Sequence, residues 1–123
     1  MEKDSAITAM MFRCRADAQL SFESVDEGSR TVCGYTRSEL VDTGLLTLLD
    51  LVQPEERELV RNRIQAGISG KKSFVVHTRL KTKDQKETAG IMVGSGSFTN
   101  PLSLTSIEGY IISLDPIGVN QSG

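Results

Sequence analysis

The fold of this chain is decided by the stretch Cys33-Gly34-Tyr35-Thr36-Arg37-Ser38-Glu39-Leu40. Gly34 suits the left-handed backbone position that commonly ends a helix. Thr36 and Glu39 then stand three residues apart, which is the spacing of a capping box, where each side chain accepts a hydrogen bond from the other residue's backbone N–H. The stretch therefore predicts that one short helix ends and another begins here.

Toward the N-terminus, apolar and polar residues alternate with the period of a β-strand. The segments 12–16 and 20–23 alternate in this way around the turn residues 17–19, so they predict a hairpin. Asp26 can cap the short helix that follows the hairpin. The apolar residues 5–11 predict a helical turn that packs on a sheet or on a second subunit.

Toward the C-terminus, the clearest helix opens at Pro54 and runs to about Ile68. Glu55 and Glu56 follow the proline, where their charges face the positive end of the helix dipole. The predicted apolar stripe of this helix comprises Leu59, Val60, Ile64 and Ile68, and the predicted water-facing residues are Glu58, Arg61, Asn62 and Gln65.

The remainder of the chain has the pattern of three strands, at residues 73–82, 86–99 and 104–114. Short turns at 83–85 and 100–101 separate them, which predicts an antiparallel meander. Two strands, a helical middle and three strands predict an α+β fold. We expect one five-stranded antiparallel sheet, with short helices and one longer helix packed on one face.

Composition narrows the class of protein. The length of 123 residues fits one domain, and the 38% hydrophobic and 24% charged residues are typical of a globular chain. A formal charge of −2, with basic residues spread along the chain, argues against nucleic acid or anionic lipid as a partner. The charged N-terminus and the absence of a long apolar run argue against a signal peptide and a membrane span, so we expect a cytoplasmic domain.

The chemistry-bearing residues are few. Cys14 and Cys33 lack the close spacing of zinc or redox pairs and are predicted to be core thiols. Alternation places His77 on the solvent face of its strand. One histidine and two separated cysteines cannot assemble the usual catalytic or zinc-binding sets, so the sequence predicts no enzyme. The glycines of segment 90–96 lack the other residues of a phosphate loop and predict a strand bend or a close approach to a ligand.

Several segments resemble those of the PAS family. Residues 33–40 resemble its "GY-[ST]-x-x-E-L" segment. Three further resemblances follow in order: Gln53–Arg57 to the "HP-E/D-D" start of the long helix, Arg79–Asp84 to the "R-x-x-x-K-D-G" strand end, and Gly109–Ile117 to the closing "G-x-x-x-x-x-x-D-I-T". The departures are Gln53 for His, Gln85 for Gly, Pro116 within the closing motif, and no Trp on the fourth strand.

The resemblance covers about residues 10–117. It leaves residues 1–9 as an N-terminal extension or cap and residues 118–123 as a tail or linker. It implies a sensory domain of a signal-transduction protein, which binds a small ligand between the sheet and the helices and relays the change to an output module such as the histidine kinase of a two-component system. The expected lining residues are Phe22, Val52, Val60, Ile64, Phe74, Val76, Ile91 and Val93.

One alternative to ligand binding remains open at this point. The same eight side chains can simply fill a solid core, because protein interiors pack tightly. The domain would then be a ligand-free module for homodimerisation or protein docking, through the outer sheet face and residues 5–11.

The resemblance also bears on cofactors without identifying one. Flavin photosensors of the family carry an Asn-Cys-Arg-Phe-Leu-Gln helix, which is missing here, and the single Cys-Arg pair, Cys14-Arg15, falls on a predicted strand. Haem-binding relatives usually supply a histidine from the long helix, and this helix has none. Neither a flavin adduct nor haem is therefore expected.

Overall fold

The structure is a computed structural model that describes residues 8–100 and 102–114. The short helical segments lie between a first pair of strands and a second group of three, as predicted. In chain order the elements are β1 (Thr8–Arg15), β2 (Phe22–Val25), α1 (Gly28–Val32), a π-helical turn (Ser38–Asp42), 3₁₀ turns (Leu48–Leu51 and Pro54–Glu56), α2 (Arg57–Ser69), β3 (Phe74–Lys81), β4 (Glu87–Asn100) and β5 (Ser103–Ser113).

The five strands form one antiparallel sheet in the order β2-β1-β5-β4-β3. Within the described residues, the first strand therefore lies beside the last, and Thr8 pairs with Ser113. Hairpins join β1 to β2, β3 to β4 and β4 to β5, which leaves β2 and β3 at the edges. The predicted α+β architecture with a five-stranded sheet is confirmed.

The helices cover one face of this sheet. Alternate residues of the strands point toward them, as in β3, where Phe74, Val76 and Leu80 are buried while Val75 and His77 are exposed. The long helix α2 buries Val60 and Ile64 against this face. One hydrophobic core results, between the inner face of the sheet and the helices.

The capping box predicted at residues 36–39 is present. The backbone N–H of Thr36 donates to Oε1 of Glu39 at 2.8 Å, and the N–H of Glu39 donates to Oγ1 of Thr36 at 3.1 Å. Gly34 has φ +86°, the left-handed conformation expected at the end of α1. Nζ of Lys83 lies 2.5 Å from Oε2 of Glu39, so the box is also tied to the β3–β4 turn.

A second capping box joins Thr47 and Asp50 at the start of the 3₁₀ turn Leu48–Leu51. The sequence pattern between residues 45 and 52 is too irregular in period to predict this turn. Its leucines at 48, 49 and 51 are all buried. The segment therefore takes its shape from the core beneath it as well as from its cap.

Two local predictions are wrong. The helical turn expected at residues 5–11 is β-strand from Thr8 onward, because pairing with β5 satisfies the backbone groups that a helical turn would have paired internally. Leu59, expected on the apolar stripe of α2, is 54% exposed, because the face that meets the sheet is centred on Val60 and Ile64.

Some predictions concern residues outside the described ranges. These are the structure of residues 1–7, the tail at 118–123, and the end of the closing motif from Asp115 to Ile117. Within residues 8–100 and 102–114, no helix has both the length and the apolar character needed to cross a bilayer.

Candidate functional site

Six of the eight predicted lining residues lie together on the inner side of the sheet. Each is at most 5% exposed, and all belong to one hydrophobic core; they are Phe22, Val52, Val60, Ile64, Phe74 and Val76. Their side chains fill the space between sheet and helices by packing against one another. Of the six, Ile64 also reaches the wall of an open cleft.

The other two predicted residues, Ile91 and Val93, lie on the opposite face of the sheet and are partly exposed. The period-two alternation of β4 turns Met92 inward, where it is fully buried. When consecutive residues of a strand are all apolar, the sequence does not show whether the odd-numbered or the even-numbered residues face the core. In β4 the pairing with β3 and β5 decides this. The structure therefore corrects the prediction that Ile91 and Val93 line the inner space.

The cleft lies at one end of the domain and has a volume of about 390 Å³. It opens between α2, the turn that joins β1 to β2, and the first half of β5. Its lining residues are Ala16, Asp17, Ala18, Leu20, Arg61, Ile64, Gln65, Ile68, Ser69, Leu104 and Ile107. An apolar floor thus carries a polar wall on its helix side.

The helix side of the cleft follows from the α-helical period. Arg61 lies three residues before Ile64 and four before Gln65, and Ile68 lies four after Ile64 and three after Gln65. The four side chains therefore share one side of α2. Ile64 is buried and Ile68 partly buried against the core. The polar members, Arg61 and Gln65, flank these apolar side chains along the cleft.

Arg61 has an unusual environment. Its Nε atom is buried, and none of the described residues accepts a hydrogen bond from it. A buried N–H donor without an acceptor destabilises the fold. An acceptor from a side chain, a water molecule or a ligand would relieve this cost. The cleft therefore contains a cationic group with one buried N–H donor that the described part of the chain does not satisfy.

The turn side of the cleft is held by Asp17 and Leu20. Oδ1 of Asp17 accepts a hydrogen bond from the N–H of Ser21 at 3.0 Å, and its carbonyl oxygen accepts one from the N–H of Leu20 at 3.2 Å. Burial opposes ionisation of the Asp17 side chain, but hydrogen bonds to its carboxylate from Ser21, Leu20 and Gln19 hold its pKa below the ordinary value. Leu20 has φ +61° and turns its side chain into the core.

Arg61 and Gln65 were predicted to face water; Gln65 is exposed, as predicted, while Arg61 is partly buried, and both line the cleft. Their spacing to Ile64 and Ile68 is a usable signal, because residues three and four apart share a helix face. The other walls of the cleft come from distant parts of the sequence, and no local pattern could place them there. They include Asp17, Leu20, Leu104 and Ile107.

The two cysteines are buried and form no disulfide, as predicted for core thiols. Burial raises the pKa of both thiols, to about 11 for Cys33 and further for Cys14. Carboxylates add to the rise, from Asp17 and Glu23 at Cys14 and from Glu39 at Cys33. His77 is exposed on the outer face of β3, which also agrees with its prediction.

Glu55 and Glu56, predicted to be partners of the helix dipole, have separate surroundings. Oε1 of Glu56 accepts hydrogen bonds from Oγ1 of Thr78 at 2.5 Å and from the N–H of Arg79 at 2.7 Å. The Thr78 and Arg79 hydrogen bonds hold the pKa of Glu56 below its ordinary value, despite some burial. Glu55 is exposed. The start of α2 is thereby fastened to the edge strand β3.

The glycines of β4 permit close packing within the protein. A Cβ on Gly90 would lie 2.6 Å from Cδ1 of Leu80, and one on Gly94 would lie 2.5 Å from the carbonyl oxygen of Glu108. Gly94 pairs directly with Gly109 in β5. The sequence predicted a strand bend or a close approach to a ligand at this segment; at Gly90 and Gly94 the close approach is made by protein atoms of neighbouring strands.

Two sequence comparisons bear on the identity of the fold. The family model described as "PAS fold" matches residues 22–89, which is more than half of the 123-residue chain. No curated protein matches the chain by sequence.

Solved structures share its architecture. The N-terminal domain of a diguanylate cyclase with PAS/PAC sensor from Marinobacter aquaeolei superposes with a TM-score of 0.69 at 12% identity, over 85% of this chain and 94% of that one. A sensory box histidine kinase/response regulator from Burkholderia thailandensis gives 0.68 at 15%, over 87% and 77%. A domain of a putative light and redox sensing histidine kinase from Haloarcula marismortui gives 0.69 at 19%, over 90% and 93%.

At identities this low, the solved structures show a similar fold and nothing more. The assignment to a family comes from the family model that matches residues 22–89, a range that includes the capping-box segment, the whole of α2 and the β3–β4 turn. By that match, the chain belongs to the PAS fold family.

Proposed function

We propose that this domain is the sensory part of a signalling protein, which binds a small molecule in the cleft beside α2 and relays the change to an output module. The observation that carries the proposal is the cleft itself, whose apolar floor and polar helix side have the character of small-molecule sites. The packed inner core offers the predicted lining residues little room for a ligand, so we assign binding to the cleft.

The position of the cleft favours a relay. Its walls belong to α2, to β5 and to the β1–β2 turn, so a ligand that prefers one arrangement of these elements would shift their equilibrium. β5 pairs with both β1 and β4 at the centre of the sheet. A displacement near Leu104 and Ile107 would therefore reach the neighbouring strands on both sides.

The output module is the less specific part of the proposal. The structural relatives named above include a diguanylate cyclase and histidine kinases. We propose an output of this signalling type, with a histidine kinase as the first candidate, and no catalytic role for the domain itself. A cytoplasmic location forms part of the proposal and is supported by the two buried cysteines, whose thiols are free of disulfides.

Native mass spectrometry of the freshly purified chain tests ligand binding. The expected result is an added mass that is lost on denaturation. Gln65→Trp should remove it by filling the cleft, while Asn62→Trp, an exposed position of the same helix outside the lining, should retain it. A bare chain whose backbone NMR shifts at the cleft also fail to move with a library of small molecules would overturn the proposal.

A second candidate function is homodimerisation through the outer face of the sheet. Cross-strand pairing aligns Val75, Val93, Tyr110 and Met11 in one row over four strands. Val75, Tyr110 and Met11 are each about half exposed, at 54%, 49% and 49%. Ile91 pairs with Ile112 in the adjacent row, which extends the apolar surface.

We propose a second copy of the chain as the occupant of this face, because a two-fold dimer buries the same patch on both partners. Light scattering after size exclusion measures the mass of the particle. Tyr110→Glu should convert a dimer into a monomer, whereas Leu59→Glu should not, since Leu59 is equally exposed but lies on α2. A wild-type chain that stays monomeric at high concentration would refute the dimer.

A further inference from the structure

The cleft contains a cationic side chain, Arg61, whose Nε has no hydrogen-bond acceptor among residues 8–100 and 102–114. Nε of Arg61 is buried, and no described residue accepts a hydrogen bond from it. The two other arginines of α2 lack this combination: Nε of Arg57 donates to the carbonyl oxygen of Val52 at 2.9 Å, and Arg63 is exposed to solvent. Among the three arginines of α2, Arg61 therefore combines two features: it lines the cleft, and its Nε has no acceptor among the described residues.

We infer that the cleft binds an organic acid, with its carboxylate on Arg61 and its apolar body on the floor. This inference rests on the proposed function, because it names the ligand class of the same site. A guanidinium group is the side chain best suited to a carboxylate, since its planar fork of N–H donors matches the two oxygens.

The floor determines the rest of the ligand. An apolar surface lies beside Arg61, so burial of an aliphatic or aromatic body would contribute to affinity. It is formed by Leu20, Ile64, Ile68, Leu104 and Ile107. The volume of about 390 Å³ accommodates a small molecule but is small for a dinucleotide. The expected ligand therefore carries one acidic end on a compact apolar body.

Asp17 limits the charge of that ligand. Its carboxylate lies on the turn side of the cleft, and hydrogen bonds hold it in its ionised form. A second negative charge on the ligand would be repelled by Asp17. A monocarboxylic acid thus fits the two charges of the cleft better than a multiply charged phosphate compound.

The test compares two straight-chain probes of equal length, octanoate and its neutral amide, by isothermal titration calorimetry at pH 7. Octanoate should bind at least tenfold more tightly than octanamide to the wild-type chain. Arg61→Gln should abolish this preference, because it removes the charge but keeps much of the side chain. Arg63→Gln is the matched control, since it removes one charge from an exposed position of the same helix, and the preference should survive.

The outcomes separate the two levels of the proposal. Equal binding of octanoate and octanamide, with both lost in Gln65→Trp, would overturn the acid while leaving ligand binding in the cleft intact. A preference for octanoate that persists in Arg61→Gln would overturn the role of Arg61. If neither probe binds, the acid is again overturned, and the native mass spectrum decides separately whether the cleft holds any other molecule.

Discussion

Glu56 offers the sharpest test of how this fold is held together. Its carboxylate accepts hydrogen bonds from Oγ1 of Thr78 and from the N–H of Arg79, and Thr78 is only 7% exposed. β3 is an edge strand, so no further strand is available to pair with this N–H. Glu56→Ala would leave both donors without their acceptor and loosen the start of α2 from the sheet.

The expected loss follows from those two bonds. A hydrogen bond to a charged group contributes about 1.5–3 kcal/mol, and we take the lower end because the Glu56 side chain is 28% exposed and water can replace part of it. Glu56→Ala should therefore lower the free energy of unfolding by about 2–3 kcal/mol. For a domain of this size the midpoint of thermal unfolding should fall by roughly 10 °C.

Urea denaturation followed by circular dichroism measures this loss, with Glu55→Ala as the control. Glu55 stands beside Glu56 in the same turn but is exposed, so its replacement should change stability by less than about 0.5 kcal/mol. A double-mutant cycle with Thr78→Val isolates the side-chain bond and should show a coupling of about 1 kcal/mol. Equal effects of the two alanine variants would refute the reasoning.

The same carboxylate predicts a pH dependence. Its pKa is lower in the folded chain than in the unfolded chain, so its contribution is present above the unfolded pKa and is lost as the pH falls through the folded pKa. In a comparison from pH 7 downward, the stability advantage of wild type over Glu56→Gln should begin to shrink below about pH 5. An advantage that stays constant down to pH 3 would contradict the assigned pKa direction.

Three further predictions concern the backbone and the thiols. Gln85 has φ +66°, so Gln85→Gly should raise the free energy of unfolding by up to about 1 kcal/mol, measured by urea denaturation, and a destabilised variant would contradict this strain. A Cβ on Gly109 would lie 2.0 Å from the carbonyl oxygen of Val93, so Gly109→Ala should destabilise the domain by more than about 2 kcal/mol in the same assay, and a neutral result would refute this close approach. Cys14 and Cys33 are buried with raised pKa values, so iodoacetamide at pH 8 should modify neither thiol in the native chain and both after unfolding, as mass spectrometry would show; rapid native labelling would contradict their burial.

Gln85 also links the family pattern to the structure. It occupies the position of the glycine in the family's strand-end motif, and it keeps the left-handed backbone that a glycine would adopt without strain. The turn is held by its hydrogen bonds, since the N–H of Gln85 donates to the carbonyl oxygen of Thr82 at 2.9 Å. The departure from the motif therefore changes the strain in the turn and leaves its shape intact.

The candidate site was predicted only in part. Alternation correctly placed Phe74 and Val76 on the inner face of β3, because charged and polar residues mark the other face of that strand. In β4, Ile91, Met92 and Val93 are consecutive apolar residues, so the pattern could not show which of them faces inward. The register with the neighbouring strands made that choice.

Sequence by itself determined the order of the elements, the capping box at Thr36 and Glu39, and the helix that follows Pro54, because caps, turns and periodicity act between residues that are close in the chain. Only the tertiary structure decided that the helices and sheet leave a cleft beside Arg61, and that Nε of Arg61 has no acceptor among the residues the structure describes. The walls of the cleft come from segments between residues 16 and 107, and the space between packed elements is a property of their arrangement that no single segment encodes.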